Sequence, residues 1–116
     1  MNANIKQRPA RRRPDHAVAV IDQMTGARAG HIGNLSLTGM MLISEKPIVD
    51  DGVYQFSFSL PLGITQRTIE VGAHEQWSVP GTVQGQQWVG LHFIDLSDED
   101  KNALRQWLAG GTDAET

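Results

Sequence analysis

The clearest periodicity in the chain lies between Tyr54 and Leu60, where Tyr54, Phe56, Phe58 and Leu60 alternate with Gln55, Ser57 and Ser59. A period of two sends alternate side chains to opposite faces, so this stretch predicts a strand with one face buried. His16-Ala17-Val18-Ala19-Val20-Ile21-Asp22 is short and β-branched, bounded by Pro14 and by Gln23-Met24-Thr25-Gly26, and predicts a strand entering a turn. Arg28 to Gly33 follows as the return strand of a hairpin. A turn over Asn34 to Gly39 leads into the apolar run Met40-Met41-Leu42-Ile43, and Glu45 to Gly52, with Pro47, Asp50 and Asp51, has the composition of a loop. Pro61-Leu62-Gly63 predicts a turn, Arg67 to Val79 a loosely alternating strand through Ile69, Val71, Ala73 and Trp77, and Pro80-Gly81 another turn. The last strand is expected over Gln86 to Ile94, with Val89, Leu91 and Phe93 facing inward.

The period then changes. Leu104, Trp107 and Leu108 fall on one face of a helix at i, i+3, i+4. Ser97 offers an N-cap hydroxyl, Asp98-Glu99-Asp100 places acids near the positive end of the helix dipole, and Gly110-Gly111 is expected to end the element. Short strands with regular turns followed by one helix predict a mainly β fold, an antiparallel barrel or strongly curled sheet with a helical plug. At 116 residues the chain is one domain. The expected divisions are a flexible basic arm over 1–13, a body over 14–109 and a disordered tail over 110–116.

Charge sharpens this picture. Residues 1–13 carry Lys6, Arg8, Arg11, Arg12 and Arg13 and no acid, a charge of +5 against a total of −3, which leaves −8 on the rest. An acidic body with one basic end argues against extended DNA or RNA binding, which needs a broad basic face. A small anionic ligand needs only a local cluster. With no Cys there is neither a disulfide framework nor a thiolate metal site. No signal peptide or bilayer-length apolar run is visible, so the expectation is a cytoplasmic protein without membrane insertion.

The chemistry concentrates in two stretches, Arg8-Pro9-Ala10-Arg11-Arg12-Arg13 and Asn34-Leu35-Ser36-Leu37-Thr38-Gly39. A guanidinium fork matches N7 and O6 of guanine, binds phosphate oxygens bidentately and stacks on aromatic bases. Asn34 and Ser36 offer short hydrogen bonds from a turn, and Gly39 suits a position with positive φ or a close backbone approach. Arg8-x-x-x-Arg12 followed by Asn34-x-Ser36-x-x-Gly39 resembles the signature of the PilZ domain family, and Trp88-Val89-Gly90-Leu91-His92-Phe93-Ile94-Asp95-Leu96-Ser97 resembles its last strand and helix start. That resemblance implies a six-stranded antiparallel β-barrel with a C-terminal helix, acting without catalysis as a bacterial receptor for the second messenger cyclic di-GMP. It further implies ligand contacts from Arg8 and Arg12, with Arg11 and Arg13 as added phosphate contacts or solubilising charge, and from Asn34, Ser36 and Gly39. The ligand would enter as one molecule or an intercalated dimer, pull the arm onto the barrel and change the surface shown to a downstream protein partner. Gln7 to Arg11 and Pro9 to Arg13 share the spacing of Arg8 to Arg12, but only the last supplies two arginines.

Other constellations are weaker. His16, His31, His74 and His92 have no metal-ligand spacing, and His74-Glu75 is not followed by a second His at helical distance. Neither a Gly-x-Ser-x-Gly elbow nor a phosphate-binding Gly-x-x-x-x-Gly-Lys loop is present, so no enzymatic activity, metal or cofactor is expected. Trp77, at the end of a strand before Pro80-Gly81, is a candidate for stacking on a ligand base or else a core or barrel-rim residue, while Trp88 and Trp107 are assigned to packing. Two rival readings keep the fold: a protein-interaction scaffold independent of nucleotide, as in pilus or motility assembly, and a barrel for single-stranded nucleic acid.

Overall fold

The structure, a computed structural model, describes residues 10–114. Six strands, β1 (Ala19–Asp22), β2 (Arg28–Leu35), β3 (Gly39–Ser44), β4 (Val53–Leu62), β5 (Thr65–Pro80) and β6 (Gln87–Asp95), precede one helix, α1 (Asp98–Ala114). All pairings are antiparallel, and the strands close into a barrel in the order β1-β2-β3-β6-β5-β4. The mainly β barrel with a terminal helix, expected from the alternating pattern, is the observed architecture.

Alternation builds the core. Phe56, Phe58 and Leu60 of β4 are buried beside Ile69, Val71 and Ala73 of β5, Val89, Leu91 and Phe93 of β6, and Met40 and Leu42 of β3. Each large apolar side chain removed from water contributes roughly 1.5–3 kcal/mol before conformational entropy is counted. Ala103, Leu104 and Trp107 of α1 complete the cluster, and the helix packs on β4 and β5. Ser97 caps it by accepting the Asp100 N–H at its Oγ, 3.1 Å away. Asp100 then reaches the sheet, taking the Arg67 guanidinium at 2.8 Å and the Glu70 N–H at 3.0 Å. This contact fixes where the helix starts, and hence which end of the barrel it covers.

Several boundaries differ from the sequence reading, each for a local reason. The first strand is limited to Ala19–Asp22, because the chain before it is not laddered until Arg12 forms an isolated antiparallel bridge with Leu35. β4 runs through Pro61 rather than turning there, and Pro61 pairs with Gln66. Proline is tolerated because β1 bonds β4 only at Ser57 and Phe56, leaving this part of β4 with an edge that requires no N–H. The reversal falls instead at Gly63, where φ is 62°. The helix does not stop at Gly110-Gly111 but continues to Ala114. Glycine disfavours a helix by about 1 kcal/mol relative to alanine without forbidding it.

Candidate ligand cleft

The segment Ala10–Arg13 is tied to the barrel through Arg12. Its N–H donates to the Leu35 carbonyl at 2.8 Å, and its carbonyl accepts the Leu35 N–H at 2.9 Å. In extended backbone successive side chains leave on opposite sides, and the neighbouring arginines are divided accordingly. Arg12 turns toward α1, where its guanidinium donates to the Trp107 carbonyl, lies 4.0 Å from the centroid of the Trp107 ring and sits 3.6 Å from Asp15. Arg11 turns the other way, donating to Asn34 Oδ1 at 2.6 Å. Arg13 is exposed and does not line the cleft that Arg11 borders. Arg8 lies outside the described residues.

A β-bulge presents Asn34. Ile32 pairs with Leu42 and Asn34 with Met41, so Gly33 is the extra residue of β2. This irregularity keeps Ile32 and Leu35 buried while Asn34 remains partly accessible. Glycine at 33 leaves room for the Met41 side chain, whose Cε would stand 2.4 Å from a Cβ placed there and would have to move for any other residue. The turn that follows is fastened by Ser36, which is fully buried. Its Oγ donates to the Gly39 carbonyl at 3.3 Å and accepts the N–H groups of Thr38 at 3.3 Å and Gly39 at 3.2 Å. Gly39 opens β3 without a positive φ; its necessity is close approach, because a Cβ would lie 2.3 Å from the Leu91 carbonyl oxygen.

Trp77 forms the opposite wall. A second bulge, between Glu75 and Trp77, brings the indole across from Gly90 of β6. A Cβ on Gly90 would fall 2.2 Å from Trp77 Nε1 and Cε2, so the ring lies directly over the glycine backbone while remaining 46% exposed. Arg11, Asn34, Thr38, Gly39, Gln76, Trp77, Gly90 and His92 thus border one open cleft of about 370 Å³, with Met40, Met41 and Leu91 beneath. That volume falls in the range of small-molecule sites, roughly 300–1,000 Å³. A cation, amide and hydroxyl groups and a half-open indole suit an anionic ligand with a flat aromatic part.

Four of the residues singled out in the sequence, Arg11, Asn34, Gly39 and Trp77, therefore meet in this cleft, whereas Ser36 supports it from within the turn and Arg12 faces the helix. Gln76, Gly90 and His92 were not anticipated. Gly90 carried a signal, since an isolated glycine within a strand marks a close approach by another group. His74 is engaged elsewhere, with Nε2 2.6 Å from Asp51 Oδ1, and no group of three metal-ligating side chains occurs among the described residues. No helix among them is long and apolar enough to cross a membrane.

Fold and cleft together define a small β-barrel domain with an open cleft on its outer wall, opposite in character to its helix-packed side. The PilZ domain family matches residues 6–110, and the chain belongs to that family, a family of cyclic di-GMP receptor domains. Two solved structures share its fold. The Bacillus subtilis inhibitor of motility MotI/DgrA superposes with a TM-score of 0.74 at 18% identity, covering 95% of this chain and 51% of that one. The chain thus spans about half the length of that relative. The PilZ domain of Escherichia coli YcgR, solved with c-di-GMP, superposes with a TM-score of 0.61 at 14% identity, covering 95% of this chain and 94% of that one. No curated protein matches the chain.

Proposed function

We propose that the cleft between Arg11, Asn34 and Trp77 binds cyclic di-GMP and that the protein acts as a non-enzymatic receptor. The observation that carries this reading is convergence: the arginine run and the Asn-x-Ser-x-x-Gly turn, far apart in sequence, meet at the Arg11–Asn34 hydrogen bond beside an exposed indole. Arg11 grips a guanine edge or a phosphate, Asn34 adds a directional hydrogen bond and Trp77 stacks on a base. Arg8, four residues ahead of Arg12 and outside the described residues, supplies a further guanidinium from the arm, and Arg13 adds general positive charge. Arg12 serves the site indirectly. By seating on Trp107 and bridging Leu35, it pins the segment that carries Arg11.

Binding then draws the arm over the cleft and alters the surface offered to a downstream protein, a population shift driven by contacts made only in the closed state. Isothermal titration of the protein with cyclic di-GMP tests this, and its stoichiometry separates one ligand molecule from an intercalated dimer. The expected result is micromolar or tighter binding, weakened by roughly 1–3 kcal/mol in Arg11→Ala, the scale of one bidentate guanine contact. Absence of heat and of any melting shift at saturating ligand would replace this reading with that of a nucleotide-independent scaffold.

A further inference from the structure

The ionisable groups of the cleft are of one kind. Among the described residues that line it, Arg11 and His92 are titratable or charged, and none is a carboxylate. The two histidines of this region differ sharply. His74 and His92 are directly paired across β5 and β6, so their side chains leave the sheet on the same face. His74 has both ring nitrogens occupied, Nε2 by Asp51 at 2.6 Å and Nδ1 by the Gln76 amide at 3.2 Å. His92 is exposed, and neither of its ring nitrogens has a partner among the described residues. On its other side it is paired with Gly39, the first residue of β3, which places no side chain beside His92 on the strand that lies between it and Asn34 of β2.

We propose that His92 is a phosphate-binding residue of the cleft, its imidazolium joining Arg11 as the second cation and making capture of an anionic ligand stronger as the pH falls. The inference rests on the cleft being the ligand site. Imidazole is the side chain whose charge ordinarily changes between about pH 5 and pH 8, while the arginine stays charged throughout. A phosphodiester is an anion over that whole range. Protonated His92 therefore attracts it through both ring N–H groups, whereas the neutral ring offers a single donor and no charge. The charged and titratable groups around His92 are Arg11 across the cleft, His74 from β5 with Asp51 bound to it, and, on the side away from the cleft, Asp95 of β6 and Lys101 of α1. Asp51 is committed to His74 and Asp95 lies outside the cleft lining, so among the described residues no carboxylate occupies the place a phosphate would take.

The test is calorimetric titration of the full chain with cyclic di-GMP at about pH 6 and about pH 8, in the parent, His92→Gln, His92→Lys and His74→Gln proteins. The parent should bind more tightly at the lower pH by on the order of tenfold. His92→Gln should bind weakly with little pH dependence, His92→Lys tightly with little pH dependence, and His74→Gln should keep the parental response. Circular dichroism melting at both pH values establishes that each variant is folded; His92 is exposed, and the lysine variant provides a gain of function that misfolding cannot mimic. A parent that binds equally at both pH values, a pH response that survives in His92→Gln, or one that disappears in His74→Gln would overturn the proposal while leaving the receptor reading intact. Absence of binding by the folded parent at either pH would overturn both.

Discussion

Two neighbouring arginines behave oppositely in this protein. Arg12 is partly buried, stacked on the core residue Trp107 and bonded to a helix carbonyl, whereas Arg11 is exposed and holds Asn34 at the edge of an open cleft. The helix-packed side and the cleft each hold a tryptophan: Trp107 is 3% exposed among core side chains, and Trp77 is 46% exposed over a glycine. An arginine and an indole are thus in direct contact on the helix-packed side, and merely border the same open cleft on the other. Burial separates the two. Where the indole is enclosed, its stacking energy goes into the fold; where it lies open, that energy remains available to a ligand.

The largest effects should come from the tryptophans. Trp107→Ala removes a core side chain and the seat of Arg12, and should destabilise the protein by about 3–5 kcal/mol in chemical denaturation. Trp77→Ala should change stability by less than about 1 kcal/mol, and weaken cyclic di-GMP by roughly 1–3 kcal/mol. Equal destabilisation by both would erase the distinction between the two sides.

The glycines sharpen it further. Gly39→Ala forces a methyl group to within 2.3 Å of a backbone oxygen that belongs to the β3–β6 ladder, and should reduce stability by about 1–3 kcal/mol. Gly90→Ala meets the Trp77 ring, which is half exposed and free to swing away. Its melting temperature should fall less than that of Gly39→Ala, while its affinity for ligand falls as far as that of Trp77→Ala. The arginines divide in the same way. Arg12→Ala should cost about 1–2 kcal/mol through the lost stacking and carbonyl contact, and Arg11→Ala less than about 0.5 kcal/mol. Thermal melts of the two variants, run beside ligand titrations, check this division.

Much of the fold was legible because alternation in Tyr54–Leu60 and Val89–Phe93 and the helical spacing of Leu104, Trp107 and Leu108 report burial directly. A turn in this stretch was legible too, though it is confined to residues 36–38, with Asn34 still in β2 and Gly39 already in β3, and Ser36 fastens it from within. The assignment of the arginines was not. Arg11-Arg12-Arg13 is flanked by Ala10 and Pro14 without an alternating apolar pattern to set a phase, and the Arg12–Leu35 bridge, a tertiary contact, decides which guanidinium faces the cleft. Strand limits at Pro61 depended likewise on how little of β4 is covered by β1. His92 was hidden for a different reason: its value comes from what its cross-strand neighbours His74 and Gly39 leave free.

The most direct test follows the three indole N–H signals of Trp77, Trp88 and Trp107 by nitrogen–proton correlation spectroscopy as cyclic di-GMP is added. The account predicts that the Trp77 signal moves to saturation with the binding isotherm while the Trp107 signal, enclosed in the core, shifts least. A Trp77 signal that stays in place at saturating ligand would contradict it.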